Sequence, residues 1–462
     1  MDGFIKVAEE NREILAPLAA RARETTNLCA LVWAVWALAR QWGVVMVQDE
    51  LRRRNEERVD WGQCPHCSAR LESKGSRSRR MLTLLGWIRW RRKAGRCPNG
   101  CEVGHVVPLD ESLGITPWQK TCESVQKVGC QLGVFVPFET AARFLKQLTG
   151  VSVSGDSVWS WVQARGRRAR QNAEQELQAA QQGDLPAEEP RAARVSLLPL
   201  ALAADALQVP LRAQPGAPDG EVDWREAKVG LVVRLDERET KKGKKVTVLR
   251  QRRVVAVRGD VAKLESRFRL EAIRQGVLAA RDIVWLSDGG AWLWKLLERL
   301  REPCPAIVAV LDFYHAAQNL WKGIEKCFDG DEAAARAYFE AARHELRHGD
   351  PDNVLAGLQA ALALPDLSEE ARKLLANAHE YLLAHRDHID YALFKDLGLP
   401  IGSGLIESAV KWLIQQRFKC VGMRWSESGF DNLLELRVAW VNDRFDDLFA
   451  SAAYPPQWLG TP

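Results

Sequence analysis

No stretch of the chain stays apolar for the roughly 20 residues that a bilayer-spanning helix needs. The most apolar run, LCALVWAVWALA at residues 28–39, is interrupted by Arg40 and Gln41 and reads as a buried or dimer-forming helix. The N-terminus lacks the basic, then apolar, then small-residue order of a secretory signal. The expected location is therefore cytosolic, with no membrane partner. No convincing repeat recurs at solenoid periods. Large net charge is missing too, since 65 Lys and Arg against 60 Asp and Glu leave +5. A reducing compartment does not favour disulfides, so ten cysteines need another explanation.

What is present is unevenly distributed. A chain of 462 residues is long enough for several domains and a sizeable core in the largest. Residues 70–96 hold ten Lys and Arg and a single acid, Glu72. Arg165, Arg167, Arg168 and Arg170 form a second basic cluster. Such local excess suits a polyanion such as nucleic acid, and a solvated basic face explains either cluster alone equally well.

Composition divides the chain. Residues 1–60 read as helical. Residues 61–112 carry short β-type runs such as MLTLLGWIRW with a cysteine pair at each end, and residues 113–170 turn helical again. Residues 171–196 form a linker region that passes from a polar helix into a Pro/Glu/Ala-rich connection near 180–194. Residues 197–318 then follow an α/β order: three strands (LLPLALAAD, KVGLVVRL, KVTVLRQRRVVAV), a helix, the strand DIVWLSD, a helix, and the strand AIVAVLD. This is the order of the RNase H-like nucleotidyl-transfer fold. Residues 319–395 have helical periodicity and no strand, residues 396–448 return to the α/β domain with a helix bearing Glu407, and residues 449–462 are a tail. The expected fold class is thus multidomain α/β: an RNase H-like catalytic domain with an all-α insertion, preceded by a zinc ribbon and a helix-turn-helix.

Three constellations carry chemistry. CPHC (Cys64, Cys67) and CPNGC (Cys97, Cys101) offer the four thiolates that tetrahedral Zn²⁺ takes in a structural site. His66 and His105 lie nearby as substitute ligands. Residues 137–170 give a helix to about Leu148, a turn through Gly150, a Ser154 cap and a second helix. In a helix-turn-helix, Ser154, Asp156 and Ser157 would lie near base edges, with Arg165, Arg167 and Arg168 on phosphate; any packed helix pair has a similar pattern. Finally, Asp205 ends the strand ALAAD and Asp288 ends VWLSD ahead of Gly289 and Gly290. Adjacent strands would bring these two acids close, and Glu407 could supply a third carboxylate. Three carboxylates can hold two Mg²⁺ ions about 4 Å apart for in-line attack on phosphorus. Loop-edge acids and a dipole-stabilised helix acid fit the spacing as well.

Longer motifs separate these readings. The ribbon with VVPLDESLGI, AADALQVP followed by WREAKVG, LSDGGAWLW, VLDFYHAAQNLW, GSGLIESAVKWLIQQRFKCVGMRW and LLELRVAWVN together resemble bacterial insertion-sequence transposases of the ISKra type, relatives of the Mutator-like transposases. The likeness covers most of the chain from about Cys64 to Phe445. It implies a DDE triad of Asp205, Asp288 and Glu407 holding Mg²⁺ (or Mn²⁺), and a helical insertion between the second and third acids. It further implies binding of double-stranded DNA at the element's terminal repeats, strand cleavage and transfer to target DNA, a homodimer or higher oligomer, and a place on the bacterial nucleoid. Asp312 and His315 resemble the family's Cys/Asp-x-x-His motif, in a supporting role. Lys411, Arg417 and Lys419, after Glu407, would meet DNA phosphate. In one departure, the family's Asp-Gly at the first acid reads Asp205–Ala206 here, where alanine would oppose an unusual φ. A decayed, DNA-binding regulator and a nuclease without strand transfer are the alternatives.

Overall fold

The structure is a computed structural model that describes residues 2–57, 60–101, 106–213, 216, 218, 220–243, 245–301 and 307–449. His105 and all but the first residue of the expected tail lie outside them. The chain forms two compact units, one of residues 1–164 with 446–462 and one of residues 165–445.

The first unit begins with α1 (Asp2–Glu10), α2 (Arg12–Arg23) and the long α3 (Leu28–Glu56). The Asn27 side chain caps α3 by accepting from Ala30 N–H. A hairpin follows, β1 (Glu72–Thr83) paired antiparallel with β2 (Gly86–Arg96). Alternation turns Met81, Ile88 and Trp90 inward against Val44 and Leu51 of α3. The front half of α3 behaves differently from the expected buried helix. Leu28, Val32, Trp33, Val35 and Trp36 are exposed, because the hairpin covers only the later turns. By length and composition α3 is also apolar enough to cross a membrane. The unit continues through α4 (Pro108–Ser112), α5 (Glu123–Phe135), α6 (Phe138–Thr149) and the first ten residues of α7 (Gly155–Gln181), whose remainder belongs to the second unit.

Between α6 and α7 the turn follows the sequence signals. Gly150 ends α6 in the left-handed region at φ 71°, and Ser154 Oγ accepts from Ser157 N–H at 3.2 Å. Gly133 of α5 lets Val158 and Val162 of α7 approach; a Cβ there would lie 3.2 Å from both. α7 does not stop at the arginine cluster. Arg165, Arg167 and Arg168 lie inside one continuous helix that runs on to Gln181, so the first eleven residues of the expected linker are helical.

In the second unit, α8 (Ala193–Ser196) leads into a five-stranded mixed sheet made of β3 (Leu200–Arg212), β4 (Val222–Glu239), β5 (Lys245–Arg258), β6 (Ile283–Ser287) and β7 (Ile307–Leu311), in the order β5-β4-β3-β6-β7. The first three strands pair antiparallel, and β6 and β7 run parallel to β3. Helices α9 (Val261–Arg274) and α10 (Ala291–Arg301) cover one face. Leu200, Leu202, Ala204 and Trp285 pack there with Phe268, Leu264 and Leu296. After β7 come α11 (Phe313–Ile324), α12 (Glu332–His348), α13 (Pro351–Leu362), α14 (Glu369–Ala384) and α15 (Tyr391–Asp396), with no strand, as the periodicity implied. This insertion also covers the edge strand, where His388 Nδ1 meets Ala309 O at 3.2 Å and its ring stacks on Trp294 at 4.6 Å. Last come α16 (Gly404–Val410), α17 (Gln416–Phe418) and α18 (Glu427–Val441), with a π-helical turn (Lys411–Gln415) between α16 and α17. On the other edge strand, the Asn442 side chain exchanges two 2.9 Å hydrogen bonds with the Val254 backbone.

Candidate active site and candidate metal centre

Register places the first two acids. β3 and β6 pair in parallel up to Ala203 opposite Leu286, so two residues further on Asp205 and Asp288 stand at the same level of neighbouring strands. Period-2 alternation puts Leu200, Leu202 and Ala204 on the α9/α10 face, and therefore Asp205 on the other. α16 packs on β3 and β4, which brings Glu407 to that side. The expectation that Asp205 ends its strand is corrected: β3 runs on to Arg212 alongside β4, and only the β6 neighbour stops short.

Electrostatics show that the acids sense one another. Burial pushes the Asp205 carboxyl above the usual carboxylate range, the Ala206 N–H opposes this, and the charges of Asp288 and Glu407 raise it further while His315 lowers it. The Ala206 N–H donates to Asp205 Oδ1 at 2.7 Å. Ala206 pairs with Lys228 in the regular β3–β4 ladder and is not among the residues with positive φ. Alanine therefore sits here without the strain that the departure from Asp-Gly suggested.

Asp288 is set by a turn. Gly290 N–H donates to its Oδ1 at 2.9 Å, and Gly289 adopts φ 93°. A Cβ at Gly289 would fall 2.3 Å from Tyr381 Oη. Tyr381, on α14, reaches the Asp288 carbonyl at 3.5 Å, the long limit of a hydrogen bond. Burial, then Asp288 and Asp312, pushes the Tyr381 phenol up to about 12.

Asp312 is a clamp. It is buried, and its Oδ1 accepts from His315 N–H at 2.8 Å, capping α11. Its Oδ2 accepts from Ser403 N–H. The backbone adds Asp312 N–H to Ser287 O at 2.7 Å and Phe313 N–H to Ile401 O at 2.8 Å. Ser403 Oγ in turn donates to Glu407 Oε1 at 3.2 Å. A chain of contacts thus runs from the end of β6 through Asp312 and Ser403 to Glu407. Sequence reasoning missed Ser403 as a partner, although it sits in the GSG just ahead of Glu407. It also missed Tyr381, and 93 residues of separation from Asp288 left no signal for it.

Among the basic residues after Glu407, Lys411 and Lys419 are exposed, and the Lys419 ammonium lies 5.5 Å from the Trp224 ring centre. Arg417 does not fit its expected role. It is 1% exposed, stacks on Trp425 at 5.1 Å, and burial pulls its guanidinium down to about 10. It is a packing residue.

The four cysteines come together as expected. The Sγ atoms of Cys64, Cys67, Cys97 and Cys101 all lie within 4.8 Å of one another. Two turns present them: Ser68 N–H donates to Cys64 O at 2.8 Å with Ser68 at φ 57°, and Gly100 N–H to Cys97 O at 3.3 Å with Gly100 at φ 73°. The N–H of Ala69, then the neighbouring thiols, draw the Cys67 thiol down to about 6. Four thiols at the ends of a hairpin fit a structural metal such as Zn²⁺. The three carboxylates are not gathered as tightly; among the described residues only the cysteines meet that spacing.

The basic hairpin is partly committed to the fold. Arg79 and Arg92 both pair with buried Asp110, and Arg79 also donates to the carbonyls of Thr116 and Gln119. Arg80 and Arg89 stand directly opposite each other across the ladder and, like Arg91, have no carboxylate partner among the described residues. Like charges so placed repel.

No protein-family model matches the chain, and no curated protein matches it. Among solved structures, the chain is similar to the Drosophila P element transposase strand transfer complex at a TM-score of 0.26, with 11% identity over 71% of this chain and 79% of that one.

Proposed function

We propose that this chain is a DNA transposase whose Asp205, Asp288 and Glu407 form a metal-dependent phosphoryl-transfer site. The observation that carries the reading is the convergence of these acids from β3, the end of β6 and α16, with Asp205 raised by burial and then by the charges of the other two. The strand order and directions of the sheet support an RNase H-like domain. Negative charge on neighbouring carboxylates is what a hard divalent cation neutralises, so the oxygen donors are of the type that takes Mg²⁺ or Mn²⁺. Such ions, when bound, would supply an activated nucleophile and charge stabilisation on the scissile phosphate.

The chain's own residues do the rest. Asp312 and Ser403 fix the Glu407 carboxylate, the turn at Asp288 fixes its carboxylate, and Lys411, one helical turn past Glu407, meets phosphate. Arg80, Arg89 and Arg91 of the hairpin and the exposed Arg167 and Arg168 would hold the terminal repeats. Two element ends must be held together, so the reading includes an assembly of two or more copies.

The test is strand cleavage by the full-length protein on a plasmid carrying the DNA that flanks its gene, with and without Mg²⁺. Discrete Mg²⁺-dependent nicks are expected, abolished in Asp205→Asn, Asp288→Asn and Glu407→Gln with end binding retained. Normal cutting by all three variants would overturn the site. Joined products separate a transposase from a simple nuclease.

A further inference from the structure

Helices α11 and α12 of the insertion enclose a cleft of about 370 Å³. Tyr314, Gln318 and Trp321 line one wall at i, i+4 and i+7 of α11, and Arg336, Phe339 and Arg343 line the other at i, i+3 and i+7 of α12. Facing stripes of this kind ordinarily close as core. Here Tyr314 is 63% exposed and Trp321 and Phe339 are only half-buried. Trp321 and Phe339 meet edge to face at 5.2 Å, and the Arg336 guanidinium lies 5.7 Å from the Trp321 ring centre. The Arg343 guanidinium lies 5.9 Å from the Phe313 ring, next to Asp312. Among the described residues no carboxylate lines the cleft; Glu332 and Glu340 pair with Arg336 and Arg343 at 2.8 Å on the exposed side, and such surface pairs exchange partners at little cost.

The cleft borders the candidate active site. The Tyr314 ring lies 3.5 Å from where a Cβ at Gly402 would sit, with Asp312 Oδ2 at 3.6 Å, so its rim is the turn that carries Glu407.

We propose that this cleft holds one unpaired nucleotide of the DNA strand being processed. The base stacks among Tyr314, Trp321 and Phe339, the Gln318 amide meets its hydrogen-bonding edge, and Arg336 and Arg343 take the adjoining phosphate. Aromatic faces with guanidinium groups are the chemistry that binds single-stranded nucleic acid. A cavity of this size admits a single base and no duplex. The proposal rests on reading the acids as a DNA site.

The test measures binding of full-length Glu407→Gln protein, without divalent cation, to two probes: a duplex bearing one unpaired nucleotide, and the same duplex fully paired. The unpaired probe should bind more tightly. Adding Tyr314→Ala or Trp321→Ala should remove about tenfold of that preference and leave affinity for the paired duplex within about twofold. Melting curves check folding, and if Trp321→Ala fails to fold, exposed Tyr314 decides alone. Equal binding of both probes, or a preference that Tyr314→Ala leaves intact, overturns the proposal. So does dAMP binding without any preference for the unpaired probe, which assigns the cleft to free nucleotides. Failure of the acid-site reading shows elsewhere, as Mg²⁺-dependent nicking that Glu407→Gln leaves unchanged.

Discussion

Two aspartates of the second unit, half-buried Asp205 and buried Asp312, should respond to the same substitution with opposite sign. Asp205 is held above the usual carboxylate range by burial and by Asp288 and Glu407. The folded state therefore keeps its proton to higher pH than the unfolded chain does. The stability this gives is full below the unfolded pKa and lost as pH rises through the raised folded value. At neutral pH without metal the charge on Asp205 is therefore a penalty, and Asp205→Asn should raise the urea midpoint while abolishing cleavage. Asp312 is different, because both oxygens accept backbone hydrogen bonds. Asparagine has only one acceptor oxygen, so Asp312→Asn leaves a buried N–H unsatisfied and should cost about 1–3 kcal/mol, read as a lowered urea midpoint. If both variants shift the same way, the contrast between a crowded acid and a clamped one is wrong. Ser403→Ala removes the hydrogen bond to Glu407 and should weaken Mn²⁺ binding by about 10–100-fold, the usual loss for an outer ligand partner, without altering DNA affinity. Titration calorimetry with Mn²⁺ checks this. Asp288 and Glu407 stood out because each sits beside a glycine turn, whereas Asp205 lies inside β3, which runs on to Arg212. Ser403 and Tyr381 did not stand out, since their roles depend on which segment the fold lays beside them.

Elements show why position along a sequence is not position on a surface. Glu407 and Arg417 were expected on one helix, where about 100° per residue leaves Arg417 about a quarter turn from Glu407. The π-helical turn (Lys411–Gln415) takes in an extra residue and swings the residues beyond it by roughly a further 90°. Arg417 thus turns into the core while Lys411, before most of the turn, stays outside. The α6–α7 turn was legible because Gly150 and Ser154 act locally; the polar helix ahead of the Pro/Glu/Ala-rich connection was legible too, but not that it continues the second helix without a break to Gln181. Gly166 of α7 packs closely, since a Cβ there would fall 2.2 Å from Asn432 O of α18. The cysteine hairpin makes its own prediction. Around the thiols the apolar cluster is small, with Leu71, Trp61 and Val106 the main members, too little to fix two turns without a metal. Removing zinc with a strong chelator should raise hydrogen exchange across residues 61–101 and leave β3 and β6 protected. Exchange unchanged in both regions would show that the thiols hold no structural metal.

At the scale of the whole molecule the feature that the second unit cannot explain is the open front of α3. Leu28, Val32, Trp33, Val35 and Trp36 are 45–74% exposed, in a helix whose later turns the hairpin covers well. Scattered apolar side chains on a surface are ordinary, but with Leu31 at 39% there are six within nine residues, two of them tryptophan, a patch of the kind that marks an interface. The reading that two element ends are held together calls for a second copy, and a helix pairing with its own twin is the commonest way to bury such a stripe symmetrically. Arg40 argues in the same direction: its Nη2 donates to Leu85 O at 3.2 Å, which ties the end of the apolar run to the hairpin and keeps a charge at the patch's border. Trp33→Gln with Trp36→Gln should therefore shift the full-length protein toward a monomer in sedimentation velocity, while the melting temperature changes little because both side chains are exposed within the copy. Wild-type protein that sediments as a monomer but floats with phospholipid vesicles would assign the same patch to a bilayer and remove α3 from the assembly.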